Sequence, residues 1–129
     1  MRSLNLIFLI GVALVLSCDD RDLPRRSVGV EIYRTDISAR GVTGQLVQIE
    51  AGMAAINGCY SDLAIEMIKI DASHFVLKGR AVFSTNGFCP EMMVYQDTIL
   101  YFRPTLAGEY FFQVNEAPFG VRRDTLLVD

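Results

Sequence analysis

Tryptophan is absent from the 129 residues, and His74 is the only histidine. One histidine cannot supply the paired ligands of a zinc-protease helix, and no phosphate-cradling glycine loop or calcium-loop pattern is present. No cofactor and no metal is therefore expected. Basic residues are also in short supply: 12 Lys and Arg stand against 15 Asp and Glu, a net charge of −3. Such a chain offers no basic patch to neutralise phosphates, so nucleic acid is not an expected partner. Helical periodicity is missing too. Past residue 56 no stretch places apolar residues at three- and four-residue steps. The longest apolar run, Leu4 to Leu16, has 13 residues, whereas crossing a bilayer takes about 20.

That run is nevertheless the most telling stretch. Arg2 precedes it, and it closes on Val15-Leu16-Ser17-Cys18 with Asp19 and Asp20 behind. A basic start, a short hydrophobic run and a small residue make an export signal. The segment resembles the lipobox of bacterial lipoproteins, in which an aliphatic residue and a small residue precede a cysteine. Val15 and Ser17 match, while Leu16 is bulkier than usual. The resemblance implies residues 1–17 as signal peptide and a lipid-modified Cys18 anchoring the chain to a membrane. An ordinary secretory signal cut near Ser17 is the alternative. Without residues 1–17, 112 residues remain, enough for one domain with a real core. The only charge lost is Arg2, so the net charge becomes −4.

Three cysteines are an odd number for an exported protein until Cys18 is assigned to lipid. Cys59 and Cys89 then form one pair, and an oxidising compartment favours a disulfide between them. Two thiolates on a metal are the competing idea. Residues 18–27 are charged, polar and interrupted by Pro24, the composition of a tether. The acidic pair after Cys18 is similar to lipoprotein sorting signals, which in different bacteria direct the protein to the cell surface or keep it at the inner membrane. The expected location is the cell envelope, lipid-anchored.

From Val28 onward the apolar residues recur with period two between short turns. Strands are expected over Val28–Tyr33, Val47–Ala51, Leu63–Met67, Phe75–Phe83, Met92–Arg103, Tyr110–Val114 and Thr125–Val128. Gly79 is a possible bend, and Met53–Ile56 is a candidate helical turn. About seven short strands predict an all-β fold over 28–129, an antiparallel immunoglobulin-like sandwich, with a small barrel as the alternative.

Leu106-Ala107-Gly108-Glu109-Tyr110 resembles the corner before the sixth strand of immunoglobulin-like domains, where a tyrosine bonds back to the backbone. Phe112 stands where antibody domains carry their second core cysteine, so with no tryptophan present this is not an antibody-type domain. In an immunoglobulin-like order Cys59 and Cys89 occupy loops at the same end, where a bridge is geometrically feasible. The loop at Asn115–Arg123 and the start of the first strand share that end, so the tether is expected to enter near the disulfide. Asn57-Gly58-Cys59-Tyr60, Cys89-Pro90, Asp97-Thr98, Pro104 and Asp124–Val128 look like small immunoglobulin-like bacterial lipoproteins of unassigned function. That likeness covers most of residues 45–129.

Chemistry is sparse. Asp71, Ser73 and His74 are close in sequence, but on a turn they are expected to diverge. Asp62 and Glu66 on one strand lie about 13 Å apart, too far for a glycosidase pair. A noncatalytic role is therefore expected. The fifth strand carries apolar residues on both faces: Val94, Leu100 and Phe102 on one, Met93, Tyr95, Ile99 and Tyr101 on the other. One face must fill the core. The other, if exposed, is an interaction patch, with Tyr95 and Tyr101 as candidate contacts for a protein or glycan. The disulfide-braced loop around Phe88 is the second candidate surface.

Overall fold

The computed structural model describes residues 23–129. The signal segment, Cys18 and the first tether residues lie outside them. Eight strands follow in order: β1 (Arg26–Ile37), β2 (Arg40–Gly41), β3 (Val47–Ala55), β4 (Tyr60–Lys69), β5 (His74–Phe83), β6 (Val94–Phe102), β7 (Gly108–Val114) and β8 (Arg122–Val128). All seven expected strands are present, and there is no helix among the described residues. β1 begins at Arg26, two residues inside the segment assigned to the tether.

The strands form one curled, half-barrel sheet in the order β2-β8-β7-β5-β1-β3-β6, with β4 on the other edge of β5. Pairing is mixed, which corrects the expectation of an antiparallel sandwich. β7 runs parallel to β5, His74–Leu77 against Phe111–Val114, and β2 runs parallel to β8. The curl has a local cause. The first half of β1, Arg26–Val30, pairs with Phe83–Gly79 of β5, and its second half, from Glu31, pairs with β3. A bulge between Ile32 and Arg34 leaves Tyr33 unpaired at that changeover, and bulges bend and twist strands. Gly79 marks the same changeover on β5, where a Cβ would run into the Val30 carbonyl. The bend anticipated at this glycine is a close approach of two backbones.

The helical turn considered at Met53–Ile56 is strand through Ala55. Met53 and Ala55 are buried, and this stretch pairs with β1 on one side and β6 on the other. Central burial overrides the helix-forming residues there. Inside the curl lie Ile32, Ile49, Met53, Leu77, Phe112, Val114 and Leu126, all fully buried. Tyr110 forms the expected corner: its hydroxyl donates to the Leu106 carbonyl at 2.8 Å and accepts from the Leu106 N–H at 3.2 Å.

β1 starts, β3 ends, β4 starts, β5 ends and β6 starts at the same end of the molecule, as their registers require. This end carries the disulfide and the root of the tether. The opposite end carries the β1–β3 connection, the Asp71–Ser73 turn and the corner at Leu106.

Candidate interaction surface

β6 is an end strand, hydrogen-bonded to β3 alone. Its inward residues, Leu100 and Phe102, pack on the core. Its outward residues stay uncovered: Tyr95 is 62% exposed and Tyr101 61%, with Ile99 exposed between them. At strand spacing this line is about 20 Å long, with the exposed Asp97 carboxylate between Tyr95 and Ile99.

Sequence reasoning missed one member. Tyr33, released from pairing by the bulge, lies over Gly52, where a Cβ would meet its ring at 2.7 Å. From there its ring sets edge-on to Tyr95 with centroids 5.8 Å apart, and its hydroxyl donates to Asp97 Oδ1 at 3.5 Å. Arg34 reaches the same oxygen at 3.1 Å, and the carboxylate holds the guanidinium above its ordinary pKa. The signal was Gly52, a glycine inside a strand, which often marks the close approach of another group. Around this line the outward positions Glu31, Asp36 and Glu50 are exposed carboxylates, and Gln48 Nε2 donates to Glu50 at 3.0 Å. The surface combines aromatic faces with an acidic border.

The second candidate surface is the rim. Cys59 and Cys89 form the expected disulfide, with an S–S distance of 2.05 Å and Cα atoms 5.2 Å apart. The bridge joins the β3–β4 and β5–β6 loops, which are also tied by the Gly58 N–H donating to the Pro90 carbonyl at 2.9 Å. Phe88 stands out from this rim, 74% exposed.

The third cluster corrects the expectation of divergence. Asp71 Oδ1 accepts from the Ser73 and His74 N–H groups, both at 2.9 Å, and lies 2.8 Å from His74 Nδ1. The Ser73 N–H and then the His74 ring lower the Asp71 pKa to about 2. Ser73 Oγ also sits on Nδ1, at 3.2 Å. A nucleophilic relay needs the hydroxyl on one ring nitrogen and the carboxylate on the other. Here both share Nδ1, so the cluster closes a turn. Asp62 sits at a β4 irregularity with φ 52°, and Glu66 pairs with Arg80 at 3.3 Å, so these carboxylates do not work together. Among the described residues no group of three metal-ligating side chains converges.

No family model matches the chain, and no curated protein or solved structure matches it either.

Proposed function

We propose that the chain is a lipid-anchored, noncatalytic cell-envelope lipoprotein whose working surface is the outer face of β6. The observation that carries this reading is the uncovered line Tyr33, Tyr95, Ile99 and Tyr101 on an end strand. Apolar rows of this kind mark interaction sites, and tyrosine is the residue type that binding surfaces favour. The border of Glu31, Asp36 and Glu50 suits a protein partner that presents basic side chains beside an apolar strip. A glycan stacked on the tyrosines is the other partner this surface suits. Membrane attachment rests on the lipobox-like Val15–Cys18. The immunoglobulin-like reading of the fold is supported by the Tyr110 corner and the loop-bridging disulfide, and the parallel β5–β7 pair departs from it.

A photo-crosslinking residue placed at Tyr95 or Tyr101 in intact cells is expected to trap a discrete adduct, and one at exposed Glu109 is not. Tyr95→Ala and Tyr101→Ala should each weaken the captured interaction about tenfold, as loss of an aromatic anchor does. Equal labelling from Glu109 would dispose of the β6 surface. Cys18→Ser should move the protein out of the membrane fraction. A hydrolytic activity abolished by His74→Ala would overturn the noncatalytic assignment. A module acting through the disulfide-braced rim, as a carbohydrate binder or an inhibitor, is the second reading. It draws on the exposure of Phe88.

A further inference from the structure

We infer that the disulfide-bearing rim seats on the lipid bilayer, so that the domain is docked at a fixed orientation and β6 faces sideways. This inference rests on the lipid anchor at Cys18. Four large apolar side chains project from the two bridged loops: Ile56, Phe88, Met92 and Met93, with Phe88 74% and Ile56 70% exposed. They belong to one rigid unit, because the Cys59–Cys89 bond and the Gly58–Pro90 and Met92–Pro90 backbone bonds fix the loops together. Ile56 and Met93 also border a shared shallow groove with Tyr60 and Phe119. Only Glu91 brings a carboxylate into the stretch from Phe88 to Met93. Exposed apolar residues held on a rigid loop are costly in water and favourable in the headgroup–acyl boundary.

The length of chain outside the strands names the occupant. β1 begins at Arg26, which lies opposite Phe83; Phe83 in turn lies opposite Tyr60, the residue after Cys59. The tether thus leaves from the same rim. Its seven residues, Asp19 to Arg25, extend to at most about 23–25 Å. β5 alone runs for about 30 Å, and the Asp71 turn lies beyond its far end. Standing the domain on its opposite end would need the tether taut along the whole molecule, so the rim stays nearest the membrane. Arg25 and Arg26 are exposed at this root, and the Arg26 guanidinium lies 5.0 Å from the centre of the Phe83 ring. With Arg21 they balance Asp19, Asp20 and Asp22 of the tether, so the seating rests on the apolar side chains rather than on charge. The opposite end also exposes Leu46, Ile70 and Leu106, but on three separate loops and out of reach of the bilayer.

The lack of tryptophan makes the test clean. The full precursor carrying Phe88→Trp, and separately Leu106→Trp, is expressed, purified as the processed product and reconstituted into phosphatidylethanolamine–phosphatidylglycerol vesicles. Flotation with the vesicles reports the anchor. Quenching by brominated acyl chains reports the rim. The expected result is a blue-shifted indole from Phe88→Trp that loses most of its emission to brominated lipid, with the Leu106→Trp indole unshifted and unquenched. Adding Ile56→Asp and Met92→Asp to Phe88→Trp should abolish the quenching while flotation persists. A protein that floats with its Phe88→Trp indole unquenched would overturn the inference and leave the anchor standing. A blue-shifted but unquenched indole would show the rim covered by protein, and equally overturns it. Failure to float removes the anchor itself, and the docking with it.

Discussion

At the scale of single residues the structure depends on polar groups whose partners are distant in sequence. Asn115 is the clearest case. It is 1% exposed, holds φ at 69°, accepts from the Ile32 N–H at 2.9 Å, and donates to the Ile32 and Gly120 carbonyls. Alanine there would orphan the buried Ile32 N–H, leave the Ile32 carbonyl to the Arg122 guanidinium alone at 3.3 Å, and keep the left-handed backbone. Asn115→Ala is expected to cost about 2–4 kcal/mol in urea unfolding. Asn115→Gly, which relieves the backbone but restores no bond, should be about 1 kcal/mol less harmful. Gly52→Ala tests the tyrosine that lies across it. The clash falls on the ring and hydroxyl of Tyr33 and on Asp97 Oδ1, all movable ends of exposed side chains, so the sheet should survive. The Tyr33–Tyr95 contact should not, and tyrosine near-ultraviolet dichroism should change. Asp71 carries a pH dependence of definite sign. Its carboxyl titrates at about 2 in the folded chain against an ordinary 3.8. It therefore contributes stability that is fully present above about pH 4 and lost as the pH falls towards 2. Asp71→Asn should be less stable than the parent at pH 6, and the gap should close through that window in acid-unfolding curves.

At the scale of strands, most of the architecture was legible because period two is a strong signal where one face is buried. Val47, Ile49 and Ala51 in β3, and Tyr110, Phe112 and Val114 in β7, point inward as their alternation predicts. The parallel pairing of β5 with β7 was not legible. Both strands would bury the same residues beside either neighbour, and pairing partners are chosen by the curl of the whole sheet. That curl turns on the Tyr33 bulge and on Gly79, two positions whose effect depends on what lies opposite. The misreading at Met53–Ala55 has the same origin. The disulfide was legible because it needed only cysteine arithmetic and the alternation of loops between ends. It closes a loop with a separation of 30 residues, which contains β4 and β5. Replacing both cysteines by serine should lower the unfolding free energy by roughly 3–4 kcal/mol through the freed denatured chain. It should also raise hydrogen exchange in the two rim loops before the core strands respond.

At the scale of the molecule, the curl closes without hydrogen bonds between its outer strands, since β6 pairs only with β3 and β4 only with β5. Side chains must hold the open side together. Phe102 of β6 meets three rings from the other limb of the curl: Phe75 of β5 at 5.0 Å, Tyr110 of β7 at 5.2 Å and Phe112 at 5.3 Å. It stacks face-to-face with none of them; all three contacts are edge-on, the geometry that aromatic quadrupoles favour. Tyr110 has a second role, since its hydroxyl fixes the Leu106 corner. One ring thus joins the end strand that carries the exposed tyrosines to the strands that carry the core. Phe102→Ala should cost about 3–5 kcal/mol, a large share of the about 5–15 kcal/mol available to a domain of this size. Tyr95→Ala and Tyr101→Ala, two surface truncations on the same strand, should stay within about 0.5 kcal/mol of the parent. Urea midpoints that fall in this order would separate the two faces of β6 into one that holds the fold and one that is free to bind. A Tyr101→Ala variant as destabilised as Phe102→Ala would instead make the outer face part of the core.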